Sequence, residues 1–131
     1  MNPTDSVSPG LLVVLGAIPG AWIRFGLVSG GARRMPRPHW ATWGVNLLAC
    51  FLLGVLMGVR PLLETRTGEL AQTTLAIGFL GGMSTYSTFI AELVTAWRRQ
   101  GRLDALFLGV TSVLGGGLAC LSGQVLARAW R

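Results

Sequence analysis

Three groups of polar residues lie where the chain is otherwise apolar, and their types define what chemistry is available. The densest is Gly78-Phe79-Leu80-Gly81-Gly82-Met83-Ser84-Thr85-Tyr86-Ser87-Thr88-Phe89. It combines glycines, hydroxyl residues and aromatics within an apolar run. A lipid-facing helix has no use for that mixture. Irregular backbone at membrane depth is tolerated where it is buried in protein or lines a cavity. A helix that breaks here would free carbonyls able to hold a cation and amides able to face an anion. The hydroxyls of Ser84, Thr85, Ser87 and Thr88 can either bond back to their own helix or donate to an ion. Tyr86 and Phe89 are three residues apart and share a helix face. Their ring edges carry partial positive charge.

The second group is Asn46, with Thr42 one turn before it. A buried Asn must find partners. It offers two N–H donors and one acceptor oxygen, for an interhelical hydrogen bond or for a permeating anion. The third is Arg24, well inside the first apolar run. A mid-membrane arginine is costly, so it is expected near an interface, paired or facing water. Either the helix ends soon after it and the side chain reaches for the headgroups, or Arg24 attracts anions at a vestibule. Ser112 lies midway along the last apolar run. Glu92 is expected near an interface, since Trp97 and Arg98 follow. His39 is a loop residue before Trp40 and reads as structural. No Ser/His/Asp set, metal cluster or phosphate loop is present, and an enzyme is not expected.

These residues must be positioned by apolar segments. Half of the chain (51%) is hydrophobic and 12% is charged, against roughly 25% charged in an ordinary soluble domain. Mean hydropathy is +0.57. The segments are Leu11–Ser29, Ala41–Val59, Ala71–Trp97 and Ala105–Ala127. Each is about as long as a membrane-crossing helix, roughly 20 residues. The expected fold is an all-α membrane protein, a single domain over 1–131, with four transmembrane helices and the third broken mid-membrane. Trp40, Trp97 and Trp130 fall near segment ends, where aromatic belts form. Met1 to Gly10 lacks a basic region, and no cleaved signal peptide is expected.

The basic residues are all arginine. They flank the apolar segments without a basic-aromatic surface pattern, which excludes nucleic acid as the partner. Four spans place Arg33, Arg34, Arg37, Arg98, Arg99 and Arg102 on one side. Arg60, Arg66, Arg128 and Arg131 fall on the other. That bias selects an orientation only weakly. One fixed orientation and dual insertion as an antiparallel dimer both remain open on charge. Gly16-x-x-x-Gly20, Gly54-x-x-x-Gly58 and Gly78-x-x-x-Gly82 allow close helix contact. Each alone reads as packing within a subunit. Four short spans enclose little volume, so a homo-oligomer is expected. Cys50 and Cys120 lie in apolar runs and read as small core residues.

Gly16-Ala17-Ile18-Pro19-Gly20-Ala21-Trp22-Ile23-Arg24-Phe25, Thr42-Trp43-Gly44-Val45-Asn46 and Gly78 to Glu92 resemble the three helix motifs of the small fluoride channels, the Fluc or CrcB family. The third match is the specific one, and together they span nearly the whole chain. The resemblance implies a fluoride-selective channel in the plasma (inner) membrane that exports fluoride passively. It implies an antiparallel dual-topology homodimer with two pores, and a structural sodium ion at the dimer interface. By position, Gly81 and Ser84 supply carbonyls to the sodium. Asn46, Tyr86, Phe89, Thr88 and Ser112 line the fluoride path, with Arg24 near the vestibule. Two places depart from the family. Tyr86 stands where Phe is usual, and Leu108 stands where Tyr is frequent. The Tyr86 hydroxyl is the candidate replacement for the missing one. The alternative function is a small proton-coupled multidrug antiporter, which needs a membrane carboxylate. Glu92 is the candidate for it.

Overall fold

The computed structural model describes residues 8–37, 39–59 and 65–130. Most of the Met1–Gly10 stretch and the Arg60 end of the middle connection lie outside the described residues, as does Arg131. The described part is helical. Helix α1 (Pro9–Ala32) starts where Ser8 accepts from the Leu11 amide at 3.3 Å, with Pro9 in the first turn. A proline there gives up an amide that would have no helical partner. Helix α2 (His39–Val59) follows a short turn. Helix α3 (Arg66–Thr73) is capped by Thr65, which accepts from the Gly68 amide at 3.1 Å. It runs on through a π-helical stretch, Thr74–Leu80, into a last turn, α4 (Gly81–Met83). Helix α5 (Tyr86–Arg99) resumes after two non-helical residues. Helix α6 (Arg102–Ala129) follows a tight turn at Gly101, whose φ of 121° favours glycine.

Helices α1, α2 and α6 are each long and apolar enough to cross a membrane. The remaining segment has the right composition but comes in pieces, as expected for the third span. Large apolar side chains stay exposed along the spans, among them Ile18, Trp22, Phe25, Val113 and Leu118. In water such a surface would be an association hazard. On a membrane protein it is the face for lipid or for other helices.

Two seams hold the helices together, and both are made of glycine. In the first, α1 lies on the π stretch and α4. A Cβ on Gly16 would come within 2.5 Å of the Thr74 carbonyl, one on Gly78 within 2.7 Å of the Val13 carbonyl, and one on Gly82 within 2.6 Å of the Ala17 carbonyl. In the second, α2 lies on α6. A Cβ on Gly54 would collide with the Cys120 carbonyl and one on Gly123 with the Phe51 carbonyl. Backbones approach this closely only where side chains are missing. The three glycine pairs expected from spacing are therefore spent within the subunit. Between the seams sits a small core of Val45, Ala49, Leu80 and Met83. A second cluster, Ala96, Ala105 and Leu108, joins α5 to α6, with Trp43, Phe89 and Leu93 against it.

Candidate functional site

The break falls at Ser84 and Thr85, both extended, with φ/ψ of −77°/155° and −146°/123°. It comes after Gly81-Gly82 rather than at them. Those glycines stay helical, and Gly82 serves the seam with α1. The Ser84 amide still closes the last turn on the Leu80 carbonyl at 2.9 Å. Thr85 does not continue the pattern. Its amide donates to Asn46 Oδ1 at 3.0 Å, and its carbonyl accepts from Asn46 Nδ2 at 3.3 Å. Asn46 thus grips one residue of the third span from both sides.

That grip has a consequence for the backbone. In an unbroken helix the Thr85 amide would belong to the Gly81 carbonyl, four residues back. Asn46 takes the amide and so leaves the Gly81 oxygen available. Gly81 and Ser84 line one small hollow of about 130 Å³, shared with Ala49, Cys50, Leu53, Ala76 and Leu80. A hard monovalent cation takes oxygen ligands, and the released carbonyl is one. Among the described residues no three His, Cys, Asp or Glu side chains cluster. The residues that line the hollow carry oxygen donors at Ser84 and on their backbone, and the thiol of Cys50.

On the far side of the break, Thr85 caps α5. Its hydroxyl accepts from the Thr88 amide at 3.4 Å and donates to Thr88 Oγ1 at 3.1 Å. The Ser87 hydroxyl lies 3.5 Å from Thr85 Oγ1. The amides of a helix's first turn have no intrahelical partners and favour negative charge. So the two sides of the break differ in kind: a helix C-terminal end before it, first-turn amides and hydroxyls after it. Tyr86 and Phe89 follow on one face, ring centroids 6.4 Å apart and tilted by 49°. Phe89 packs inward against the second cluster, whereas Tyr86 is 77% exposed in the single chain. The expected aromatic pair is therefore together but half open.

The other candidates are placed as follows. The Ser112 hydroxyl donates to the Leu108 carbonyl at 2.6 Å, the back-bond open to any serine in a helix. To donate to an ion it would have to give up that bond. Asn46 retains one Nδ2 hydrogen beyond the grip. Arg24 is half-buried and makes no ion pair among the described residues. Its helix does not end soon after it: α1 runs on to Ala32, about 12 Å further at the usual rise. Arg24 therefore does not lie at a helix end.

One contact was not anticipated. Thr42 is 1% exposed, and its hydroxyl donates to Glu92 Oε1 at 2.7 Å. Glu92 was expected near an interface. It sits half-buried in the middle of α5, facing α2. It lines a cavity of about 220 Å³ with His39, Thr88, Thr95 and Gln100. His39 and Gln100 bring this cavity to the end of the molecule where the arginines gather. There Arg37 and Asp104 pair at 3.6 Å, both partly exposed, and tie the two short connections together. The spacing signal was present: Thr42 and Asn46 are four apart, so they share a face of α2. Both reach the third span, Thr42 at Glu92 and Asn46 at Thr85.

The chain matches the CrcB-like family (CrcB-like protein, Camphor Resistance) over residues 11–124. It is 39% identical to the fluoride-specific ion channel FluC 1 of Prochlorococcus marinus (strain MIT 9313), over 88% of this chain and 89% of that one. It is 36% identical to the fluoride-specific ion channel FluC 1 of Synechococcus sp. (strain CC9902), over 90% of each. It is 35% identical to the fluoride-specific ion channel FluC of Mesorhizobium japonicum, over 90% of this chain and 94% of that one.

Proposed function

The chain belongs to the CrcB-like family, and from that membership we propose that it is a fluoride-specific channel. It lets fluoride run down its gradient out of the cell and so lowers cytoplasmic fluoride. The observation that carries the reading is the gripped break. One asparagine holds a mid-span residue by both backbone groups, and beside it hydroxyls, first-turn amides and ring edges gather on one side. Fluoride is small and strongly hydrated, so a path must replace its water with close donors, as filters do for other ions. Asn46, Thr88, Ser112 and the edges of Tyr86 and Phe89 are such donors. None carries a full charge, which keeps binding weak enough for exit. The arginines at the mouth, and Arg24 further in, raise local anion concentration.

The assembly in this reading is an antiparallel homodimer inserted both ways in the plasma (inner) membrane, with two fluoride paths. The exposed Tyr86 favours a second copy, since one chain does not enclose its ring. The Gly81 and Ser84 carbonyls of each copy would hold one structural sodium ion, which supplies a fixed positive charge at the dimer centre. The antiporter alternative rested on Glu92 exchanging protons. The matched relatives are named fluoride-specific channels, and nothing in the match supports that alternative.

The test is growth. A bacterium stripped of its own fluoride exporter should regain growth on fluoride when it makes this chain, and not when it makes Asn46→Asp. No rescue by the native chain, with the protein detected in the membrane, sinks the reading.

A further inference from the structure

The cavity of about 220 Å³ beside α5 follows one face of that helix, lined in turn by Thr88, Glu92, Thr95 and Gln100. Thr88 belongs to the hydroxyl group at the break, and Gln100 closes α5 at the arginine end. They stand about 18 Å apart at the usual helix rise, so the cavity runs from the break toward the end of the molecule. His39 lines the same cavity and is the single histidine of the chain. It is 8% exposed, and its ring has no hydrogen bond among the described residues. The sealed, unpaired side-chain polar atom among them is the Trp43 indole nitrogen. The His39 nitrogens therefore keep accessible surface, and the cavity is the opening that His39 lines. Neutral imidazole has one N–H donor, whereas imidazolium donates from both nitrogens. Histidine passes between the two around physiological pH. Three charged groups surround it. Arg37, on its own connection, and Asp104, at the start of α6, pair at 3.6 Å and offset each other. Glu92 faces the cavity from α5, with one oxygen accepting from Thr42. An ionised Glu92 leaves the cavity negative when His39 is neutral and balanced when His39 is protonated.

We propose that this cavity is an anion-binding site at one mouth of the fluoride path, and that protonated His39 is the residue that admits fluoride to it. The assignment rests on the fluoride-channel reading and adds to it a residue and a pH dependence. With His39 protonated, its charge offsets Glu92 and its N–H groups join the other donors of the lining. Thr88 accepts the Thr85 hydroxyl and keeps its own hydrogen free. Thr95 spends its hydroxyl on the Ala91 carbonyl at 2.8 Å. The Gln100 amide offers two N–H groups. With His39 neutral, the Glu92 charge is unbalanced and repels the anion. Conduction should therefore rise as pH falls through the titration of His39.

The experiment is a pH titration of the native full-length chain in detergent, following the imidazole ¹H–¹³C resonances. A single histidine needs no assignment by mutation. The titration is run from about pH 5 to about pH 8, once in fluoride and once in the same concentration of chloride. An anion that prefers the protonated site raises the midpoint of His39 by linkage. Fluoride should raise it above the chloride value by about one pH unit, the shift that a tenfold preference produces. Equal midpoints in the two salts overturn the proposal. In liposomes, with the leak of protein-free vesicles subtracted, native fluoride flux should fall several-fold between about pH 6 and about pH 8. His39→Gln should be flat over that range. A pH profile that survives His39→Gln overturns the proposal and assigns the titration to another group, Glu92 first. The resonance titration needs only the native chain, so it decides even if His39→Gln does not fold. Native fluoride flux with equal midpoints leaves the channel reading standing. Absence of native flux at every pH removes that reading instead.

Discussion

The glycine seams and the gripped break hold the same bundle by opposite means. Along the seams, α1 on the third span and α2 on α6, helices meet because side chains are missing and backbones touch. At Ser84–Thr85 the backbone is held open by a side chain reaching from 39 residues away. A seam tolerates no added volume but asks for no particular chemistry. The break depends on specific donors and acceptors. Close glycine packing sets the helices against one another, so that a few hydrogen bonds can hold an irregular backbone between them.

That contrast can be broken at either end. The largest effect is expected in the seam. Gly54→Val puts atoms where the Cys120 carbonyl already lies, and should cost at least about 3 kcal/mol, the upper end of ordinary overpacking. Purified yield of monodisperse protein is the readout, and Gly117→Val, at a glycine with open space around it, should be spared. Full yield of Gly54→Val would mean that the seam is looser than drawn.

Next comes the grip. Asn46→Leu removes two hydrogen bonds and should cost about 2 kcal/mol, at roughly 1 kcal/mol each, as a lower melting temperature in detergent. Asn46→Asp keeps an acceptor for the Thr85 amide and loses the donor while adding negative charge. It should melt closer to the native protein yet lose most fluoride flux. If Asp melts as low as Leu and both conduct, the break does not depend on Asn46.

How much of this was legible follows the same division. Runs of apolar residues mark the spans because crossing a membrane needs length and composition, which are local properties. The third span could be read as broken because glycines and hydroxyls cluster there. The position of the break was not readable from Gly81-Gly82. It is decided by Asn46, a partner distant in sequence that outcompetes the Gly81 carbonyl for one amide. The glycine spacings were visible, but their pairing, Gly16 with Gly78 for example, is a matter of tertiary approach. The Thr42 partner of Glu92 was not readable from the Trp97 and Arg98 that follow it. A helix face decides its surroundings more than its distance from the helix end, and that face carries it to Thr42.

Smaller effects sharpen the picture around that second tie. Thr42→Val removes the hydroxyl that meets Glu92 and should cost about 1 kcal/mol, while Thr42→Ser restores the native melting temperature. A Val variant as stable as native protein would show that the 2.7 Å contact contributes nothing net. Smallest is Tyr86→Phe. An exposed ring loses only its hydroxyl, so stability should not change. A fall of a few-fold in fluoride flux is expected if that hydroxyl stands in for the one missing at Leu108; unchanged flux would retire the substitution idea.

The most direct measurement is ion efflux from liposomes holding the purified chain, with fluoride and chloride loaded at equal concentration. Fluoride should leave rapidly and chloride should stay inside, and Asn46→Asp should slow the fluoride without releasing the chloride. Equal loss of both ions, or retention of both by the native chain, would contradict the account.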